Sequence, residues 1–282
     1  MKRAIAALLL SLTACLTGGA ARGCGAAEAA CVVPLGQYRV AAPAMGSAPR
    51  PAVVFLHGFG GSGVAILRQT ALVSAFTDHG MVVIAPDGLV RPSPGNTSPG
   101  STSWSFRPNE PHSRDELAFV RDVLADAVGR WRIDRVRVLL AGESLGGSLT
   151  WYLACRAPGE FAAYAPVAGG FWNPLPEGCA GPVKLLHTHG WRDEVVPLEG
   201  RIIRDVAVQG DIFAGLALWR RANGCATQAP AQIEIAANAG RRRWTGCAGA
   251  SWLELVLHDG GHVVPDWWGP MARAWFEQMV PR

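Results

Sequence analysis

One stretch near the middle of the chain constrains the fold more than any other: an apolar run that ends at a serine set between glycines. Residues 136–141 are mostly aliphatic, and Gly-Glu-Ser-Leu-Gly follows at 142–146. A helix-like segment continues without a break. A side chain at either flanking glycine would collide across a tight turn, so small residues there let a strand and a helix approach closely. The pattern predicts a buried strand, a sharp turn that carries Ser144, and a helix.

Size and composition favour one large globular domain. The chain has 282 residues, of which 49% are hydrophobic and 17% are charged, and its formal net charge is +4. A chain of this kind can bury a sizeable core, and so small a net charge gives no reason to expect a nucleic-acid partner. The dense basic cluster at 241–243 is expected to be a solvated loop.

The first twenty residues have the features of an export signal. A basic start at 1–3 precedes an apolar segment at 4–12, which is too short to span a bilayer, and small residues follow. We expect cleavage near Ala20 and one folded domain over 21–282. Residues 12–15 also fit a lipobox, which would place a lipid anchor on Cys15. Under both interpretations the chain is exported. We therefore expect a secreted, periplasmic or envelope-anchored protein without a transmembrane helix.

Cysteine usage agrees with export. The chain has seven cysteines, and in an oxidising compartment they are expected to pair. Loss or lipidation of Cys15 leaves an even number. Several connectivities are then possible, and pairing of neighbours along the chain predicts three disulfides: Cys24–Cys31, Cys155–Cys179 and Cys225–Cys247.

Apolar runs alternate with helical segments along the rest of the chain. The predicted strands include 37–40, 52–56, 81–85, 136–141, 183–189 and 252–257, and the predicted helices include 64–77, 114–130, the segment after Ser144, 212–221 and 271–279. Ser113 and Glu116 predict a capping box at the start of the 114–130 helix. This alternation predicts an α/β fold with a mostly parallel central sheet and helices on both faces, in a single domain.

Three residues that carry chemistry follow predicted strand ends in the order Ser144, Asp193, His262. Serine, acid and histidine occur in this order in the α/β-hydrolase triad, and the carboxyl ends of parallel strands are where sites form in open α/β sheets. A serine hydroxyl is a weak nucleophile, so His262 would take its proton. Asp193 would hold the imidazole in the required tautomer.

Alternatives exist for the acid and the base. Glu194 and Glu199 compete with Asp193, which we prefer because it lies directly after the strand at 183–189. His258 competes with His262, and the two glycines before His262 favour the latter.

A tetrahedral intermediate would need backbone donors for its oxyanion. Leu145, which follows the serine, supplies one N–H, and the loop after the 52–56 strand supplies the other, most simply at Phe59. Gly60 is the alternative in that loop.

Histidines and tryptophans add further expectations. His187 and His189 alternate on one strand and could bind a metal, but no carboxylate or cysteine set accompanies them, so we predict no metal and no cofactor. Aromatic walls suit flat acyl groups or sugars. We predict substrate contacts for tryptophans near the expected site, namely Trp104, Trp191 and Trp267, and we note Trp172 in a loop at the same edge.

An ordered set of motifs resembles a known family. The set comprises Leu-His-Gly-Phe-Gly-Gly at 56–61, Pro-Asp-Gly at 86–88, Gly-Glu-Ser-Leu-Gly-Gly at 142–147, Ala-Pro-Val-Ala-Gly at 165–169, His-Gly-Trp-Arg-Asp-Glu-Val-Val-Pro at 189–197 and Gly-His at 261–262. It is similar to the polyhydroxybutyrate depolymerase family of exported esterases, which is related to feruloyl and acetylxylan esterases. The resemblance implies an α/β-hydrolase fold and ester hydrolysis by a Ser144–Asp193–His262 triad without a cofactor.

The same resemblance bears on the substrate. Depolymerases that attack solid polyester usually carry a linker and a substrate-binding domain, which we do not find after the last predicted helix. We therefore expect hydrolysis of oligomeric or small soluble esters. We also expect the protein to be a monomer. A feruloyl or acetylxylan esterase is the main alternative. A serine peptidase and a non-catalytic binding protein of the same fold are further alternatives.

Overall fold

The computed structural model describes residues 24–44, 46–90, 101–203, 207–236 and 238–281. The predicted signal segment and Cys15 lie outside these residues. The helices are α1 (Gly63–Leu67), α2 (Thr70–Thr77), α3 (Glu116–Trp131), α4 (Leu145–Arg156), α5 (Ile212–Ala222) and α6 (Trp268–Met279). The strands are β1 (Cys31–Val33), β2 (Gly36–Ala41), β3 (Arg50–Leu56), β4 (Val82–Pro86), β5 (Leu89–Val90), β6 (Thr102–Ser103), β7 (Ile133–Glu143), β8 (Ala163–Val167), β9 (Lys184–Gly190), β10 (Arg201–Ile203), β11 (Ala207–Gln209), β12 (Gln232–Ala236), β13 (Ala239–Trp244) and β14 (Trp252–His258).

The described chain is organised around a ten-stranded sheet in the order β1-β2-β4-β3-β7-β8-β9-β14-β13-β12. The strands from β4 to β14 in this order run parallel to one another, and antiparallel pairs extend the sheet at both ends. β7, which leads to Ser144, lies between β3 and β8 near the middle of the sheet. The predicted α/β architecture with a mostly parallel sheet is confirmed.

Two hydrophobic layers cover the two faces of this sheet. Successive side chains of a strand point to opposite faces, and β3 divides accordingly: Ala52, Val54 and Leu56 belong to one layer, whereas Val53 and Phe55 belong to the other. A strand that is buried on both faces reads as a continuous apolar run. This is why a central strand such as β3 could be predicted from its run of apolar residues.

Three disulfides join the predicted partners: Cys24 to Cys31, Cys155 to Cys179 and Cys225 to Cys247. The predicted pairing is thus confirmed. Cys155 lies near the end of α4, the helix that starts at the serine turn, so its disulfide ties that helix to the loop before β9.

Other local predictions were wrong. The helix expected over 64–77 is divided into α1 and α2. α3 is capped by Asp115, whose carboxylate accepts from the amides of Leu117 and Ala118, at 3.0 and 3.3 Å. A capping box from Ser113 does not form, because the Glu116 carboxylate instead accepts from the Ser105 amide and pairs with Arg114.

The basic cluster 241–243 is not a loop. It forms part of β13, where Arg241 pairs with Glu254 and Arg243 pairs with Glu234 on the neighbouring strands. No helix within the described ranges is long and apolar enough to cross a membrane.

Candidate active site

Ser144 stands between β7 and α4 in a backbone conformation that non-glycine residues rarely adopt, with φ 54° and ψ −119°. Such a conformation costs on the order of 1–3 kcal/mol and persists only where the surroundings enforce it. Here the Ser144 amide donates to the Val167 carbonyl at 2.9 Å, and the Ser148 amide donates to the Ser144 carbonyl at 2.8 Å. The turn is therefore held at the carboxyl edge of the central sheet.

The glycines of this turn are required by close backbone contacts. A Cβ on Gly146 would lie 2.1 Å from the Leu56 carbonyl oxygen, and a Cβ on Gly142 would lie 2.7 Å from the Gly146 backbone. Neither space could accept a methyl group without moving the strand or the helix. The steric reason for small residues on both sides of Ser144 is confirmed.

Asp193 and His262 meet in the structure although they are far apart in the sequence. His262 Nδ1 lies 2.8 Å from Asp193 Oδ2. The other carboxylate oxygen of Asp193 accepts from the amides of Val195 and Val196, at 2.9 and 2.8 Å. Burial opposes ionisation of Asp193, but hydrogen bonds from His262 and from the Val196 amide outweigh it and lower the pKa of the carboxyl. Asp193 is thus an ionised, oriented partner for the imidazole.

The competing acids and base have different surroundings. Glu194 and Glu199 are exposed, whereas Asp193 is only 5% exposed. His258 is buried, and its Nδ1 accepts from the Gly260 amide at 3.0 Å.

Glu143 is the residue directly before Ser144. Within the described residues no hydrogen bond joins the Ser144 hydroxyl to His262. Such a bond is often long in a ligand-free site and shortens when substrate binds. Burial raises the pKa of Glu143, although a hydrogen bond from the Gly58 backbone and the proximity of His262 oppose this effect.

The two predicted oxyanion donors lie beside the serine. Phe59, Ser144 and Leu145 line the same cavity. Leu145 is the first residue of α4, so its N–H has no acceptor within the helix. The Gly60 amide is occupied, since it donates to the Thr102 carbonyl at 2.9 Å, whereas the Phe59 amide makes no hydrogen bond to any residue the structure describes. The geometry therefore favours Phe59 over Gly60.

A buried histidine fixes the loop that presents Phe59. The His57 Nδ1 donates to the Gly58 carbonyl at 2.7 Å, and its Nε2 accepts from the Gly88 amide at 2.9 Å. Because one ring nitrogen donates and the other accepts, the imidazole is neutral. Burial correspondingly lowers the pKa of His57.

Trp104 completes this support and was wrongly expected to contact substrate. Its indole is 0% exposed, packs against the His57 ring at 4.8 Å between centroids, and donates from Nε1 to the His57 carbonyl at 2.8 Å. A side chain buried in this way has no face to offer a ligand. Trp104 instead supports the Phe59 loop from the protein interior.

His187 and His189 form a hydrogen-bonded chain in the interior. Trp151 Nε1 donates to His187 Nδ1 at 3.3 Å, His187 Nε2 lies 3.0 Å from His189 Nδ1, and His189 Nε2 lies 2.8 Å from the Val196 carbonyl. This sequence of donors and acceptors is satisfied by two neutral imidazoles, in keeping with the lowered pKa that burial gives both. No group of three metal-ligating side chains occurs in the described part of the chain.

A cavity of about 520 Å³ opens at Ser144. Apart from the turn and the Phe59 loop, its walls come from the 103–110 segment, the loop after Asp193 and the β10–β11 hairpin, with Trp172 as the tryptophan among them. Trp191, 63% exposed, and the half-buried Trp267 are not among its lining residues. The sequence placed Trp172 only in a loop at the same edge, because no local pattern separates it from the other tryptophans.

The sequence of this chain is similar to those of known esterases. A family model named Esterase, described as “Putative esterase”, matches residues 39–238. The chain is 30% identical over 156 residues to “Putative esterase NocK” of Nocardia uniformis, covering 54% of this chain and 42% of that protein. It is 25% identical over 230 residues to “Feruloyl esterase B” of Piromyces equi, covering 78% and 41%. The chain thus spans about two fifths of the length of these two relatives.

Solved structures resemble the fold at low sequence identity. An acetyl xylan esterase from Aspergillus awamori has a TM-score of 0.63 at 17% identity, over 86% of this chain and 94% of that one. A Bacillus cereus carboxylesterase has a TM-score of 0.57 at 14% identity, over 86% and 95%. These matches confirm the predicted α/β-hydrolase fold. Because the family model covers residues 39–238, more than half of the sequence, the chain belongs to the Esterase family.

Proposed function

We propose that this protein is an exported serine hydrolase of carboxylic esters, with Ser144 as nucleophile, His262 as base and Asp193 as its orienting acid. The observation that carries the proposal is the Asp193–His262 hydrogen bond of 2.8 Å, in which the carboxylate is buried and the imidazole is partly exposed, at the sheet edge where β7 leads to Ser144. An ionised carboxylate on Nδ1 keeps the proton on that nitrogen and leaves Nε2 able to accept the serine proton.

The reaction would proceed in two stages through an acyl-enzyme. The Ser144 oxygen attacks the ester carbonyl while His262 Nε2 takes its proton, and the tetrahedral intermediate then expels the alcohol, which receives that proton. In the second stage His262 activates a water, which attacks the acyl carbonyl and releases the acid and free Ser144. The Leu145 and Phe59 amides would donate to the oxyanion in both stages.

The cavity and the relatives bear on the substrate class. The aliphatic side chains of the cavity suit an aromatic or short aliphatic acyl group. Curated relatives are named feruloyl esterases, and a structural neighbour is titled an acetyl xylan esterase. We therefore place soluble feruloyl or acetyl esters first. Oligomers of hydroxybutyrate, expected from the resemblance to the depolymerases, are the competing class.

The proposed location outside the cytoplasm is supported by the disulfides, since such bonds persist in oxidising compartments. Both signal cleavage near Ala20 and lipidation of Cys15 are compatible with it. The intact mass of the exported protein distinguishes them, because lipidation makes a modified Cys15 the first residue. Size-exclusion chromatography with light scattering tests the expected monomer.

A substrate panel tests the proposed function. Purified wild-type protein and Ser144→Ala should be compared on 4-nitrophenyl acetate, methyl ferulate, acetylated xylan, hydroxybutyrate oligomers and a peptide amide. We expect ester turnover by the wild type alone, with a higher kcat/KM for ferulate or acetyl esters than for the oligomers. Turnover that is unchanged in Ser144→Ala would contradict the proposed nucleophile. Preference for the peptide amide would contradict the assignment as an esterase.

A further inference from the structure

The β10–β11 hairpin brings a cation to the cavity beside Ser144. Arg201 and Gln209 are register partners in this antiparallel pair, and both line the cavity. Side chains of direct partners lie on the same face of the two strands. Ile203, two residues along β10, also lines the cavity, in keeping with the alternation of side chains along a strand.

The hairpin is attached to the body of the protein at this point. Gln209 forms a β-bridge with Trp172, and the Gly210 amide donates to the Phe171 carbonyl at 2.9 Å. The Asn173 amide donates to the Val208 carbonyl at 2.8 Å. These contacts fix β11 against the Trp172 wall of the cavity, so Arg201 extends from an anchored element.

Among the residues that the structure describes, Arg201 has a hydrogen-bond partner at Nε and none at its two terminal nitrogens. Its Nε donates to Gln209 Oε1 at 3.2 Å, and Gln209 is only 8% exposed. Among the described residues, no carboxylate pairs with Arg201. An amide that fixes Nε leaves the two terminal amino groups of the guanidinium available, and this fork matches the geometry of a carboxylate.

Charge in the cavity is not balanced by its other lining residues. Arg107 and Glu110 form an ion pair of 2.8 Å with each other. Among the described lining residues, Arg201 therefore contributes a net positive charge, set in a wall that includes Trp172, Val195, Val196 and Ile203. An apolar wall with a net positive charge at one fixed point recognises a group that is apolar along its length and anionic at its end.

We propose that Arg201 is a specificity-determining residue, and that this enzyme prefers esters that carry a free carboxylate several bonds from the scissile carbonyl. The proposal rests on the proposed ester hydrolysis at Ser144. The carboxylate can belong to the acyl group, as in a half-ester of a dicarboxylic acid, or to the alcohol, as in an ester of a hydroxybenzoic acid. The recognising chemistry, a guanidinium–carboxylate pair, is the same for both.

Two pairs of substrates separate these sources. The acyl pair is the 4-nitrophenyl half-ester of adipic acid and its adipamate isostere. The alcohol pair is the acetyl ester of 4-hydroxybenzoate and that of 4-hydroxybenzamide. In each pair the neutral amide matches the shape of the carboxylate. We expect kcat/KM for the anionic member of one pair to exceed that of its neutral partner about tenfold at low salt, chiefly through KM. The ratio should fall as ionic strength rises.

Variants connect this preference to one side chain. Arg201→Gln should reduce the anionic-to-neutral ratio to about one, and Arg201→Lys should retain part of it, because lysine keeps the charge and loses the fork. Arg242→Gln is the matched control, since Arg242 is an exposed arginine on the β12–β13 hairpin and is absent from the cavity. It removes the same unit charge and should keep the wild-type ratio. Circular dichroism and labelling of Ser144 check that each variant is folded.

The outcomes separate the two proposals. No anionic preference in either pair, or a preference that survives in Arg201→Gln, overturns the role of Arg201 and leaves the esterase intact if neutral esters are hydrolysed. Loss of the preference in Arg242→Gln as well would attribute it to overall charge and also overturn that role. Absence of Ser144-dependent turnover of all four esters overturns the proposed function itself.

Discussion

At the scale of single residues, the site depends on how Asp193 divides its hydrogen bonds. One oxygen accepts from the Val195 and Val196 amides, and the other accepts from His262. The order of the three residues in the chain predicted that an acid and a histidine meet beside Ser144, and their positions after predicted strand ends selected Asp193 and His262 from their neighbours. The supporting contacts of His57 and Trp104 could not be predicted, because they join segments whose distance in the sequence carries no periodic signal.

Asp193→Asn tests the acid. An amide of the same shape can donate to His262 Nδ1 and so favours the wrong imidazole tautomer. We expect kcat to fall by roughly 10³–10⁴ with little change in fold, as measured by steady-state kinetics and circular dichroism. Glu194→Gln is the control, because Glu194 is exposed and next in the sequence, and its activity should remain close to wild type. A fall of less than tenfold in Asp193→Asn would reject the assigned role.

Phe59→Pro tests the oxyanion donor, because proline has no backbone N–H. Loss of one donor should lower kcat by about 10²–10³. Phe59→Ala keeps the N–H and removes the exposed phenyl ring, so its kcat should remain within a few-fold of wild type. Equal losses in the two variants would indicate that the side chain matters, not the amide. Thermal melting of both variants checks that the loop substitution leaves the protein folded.

At the scale of elements, the buried strands were predictable and the exposed hairpins were not. β3 and β4 contain continuous apolar runs, whereas β12 is exposed along its whole length. β12 and β13 are joined by cross-strand partners such as Glu234 and Arg243, which depend on register and not on hydrophobicity. The β10–β11 hairpin, which brings Arg201 to the cavity, is short and was missed for the same reason.

Removal of the Cys155–Cys179 disulfide should lower the unfolding free energy of the protein more than removal of the Cys24–Cys31 disulfide. The two bonds close segments with sequence separations of 24 and 7 residues. Loop-closure entropy predicts losses of about 3.5 and ~2.4 kcal/mol in unfolding free energy on removal. Urea denaturation of Cys155→Ala/Cys179→Ala and of Cys24→Ala/Cys31→Ala measures both. The opposite order would show that native contacts outweigh the loop-length effect.

At the scale of the whole molecule, buried neutral histidines make stability depend on pH. Burial is the main cause that lowers the pKa of His57, His187, His189 and His258. Below the ordinary histidine value of about 6.5 the unfolded chain binds a proton at each of these positions, whereas the folded chain does so only at lower pH. The unfolding free energy therefore rises with pH in this window, and it decreases as the solution is acidified.

We expect urea denaturation to give progressively lower unfolding free energies between about pH 7 and pH 5, with each buried histidine contributing up to about 1.4 kcal/mol per pH unit. His258→Gln should reduce this slope with little other loss, because His258 Nε2 has no partner in the described residues and its Nδ1 only accepts from Gly260. A stability that is constant between pH 5 and 7 would contradict the neutral state of these rings.

Covalent labelling tests the proposed role of Ser144 as an activated nucleophile. A fluorophosphonate probe should add one equivalent to the native protein, and peptide mass spectrometry should locate it on Ser144. Ser148→Ala is the matched control, since Ser148 lies one helical turn away with its hydroxyl accepting from the Gly170 amide at 3.1 Å. It should still be labelled at Ser144, whereas Ser144→Ala and heat-unfolded protein should not be labelled. Equal labelling of Ser144→Ala, or none of the native protein, would rule out Ser144 as the nucleophile.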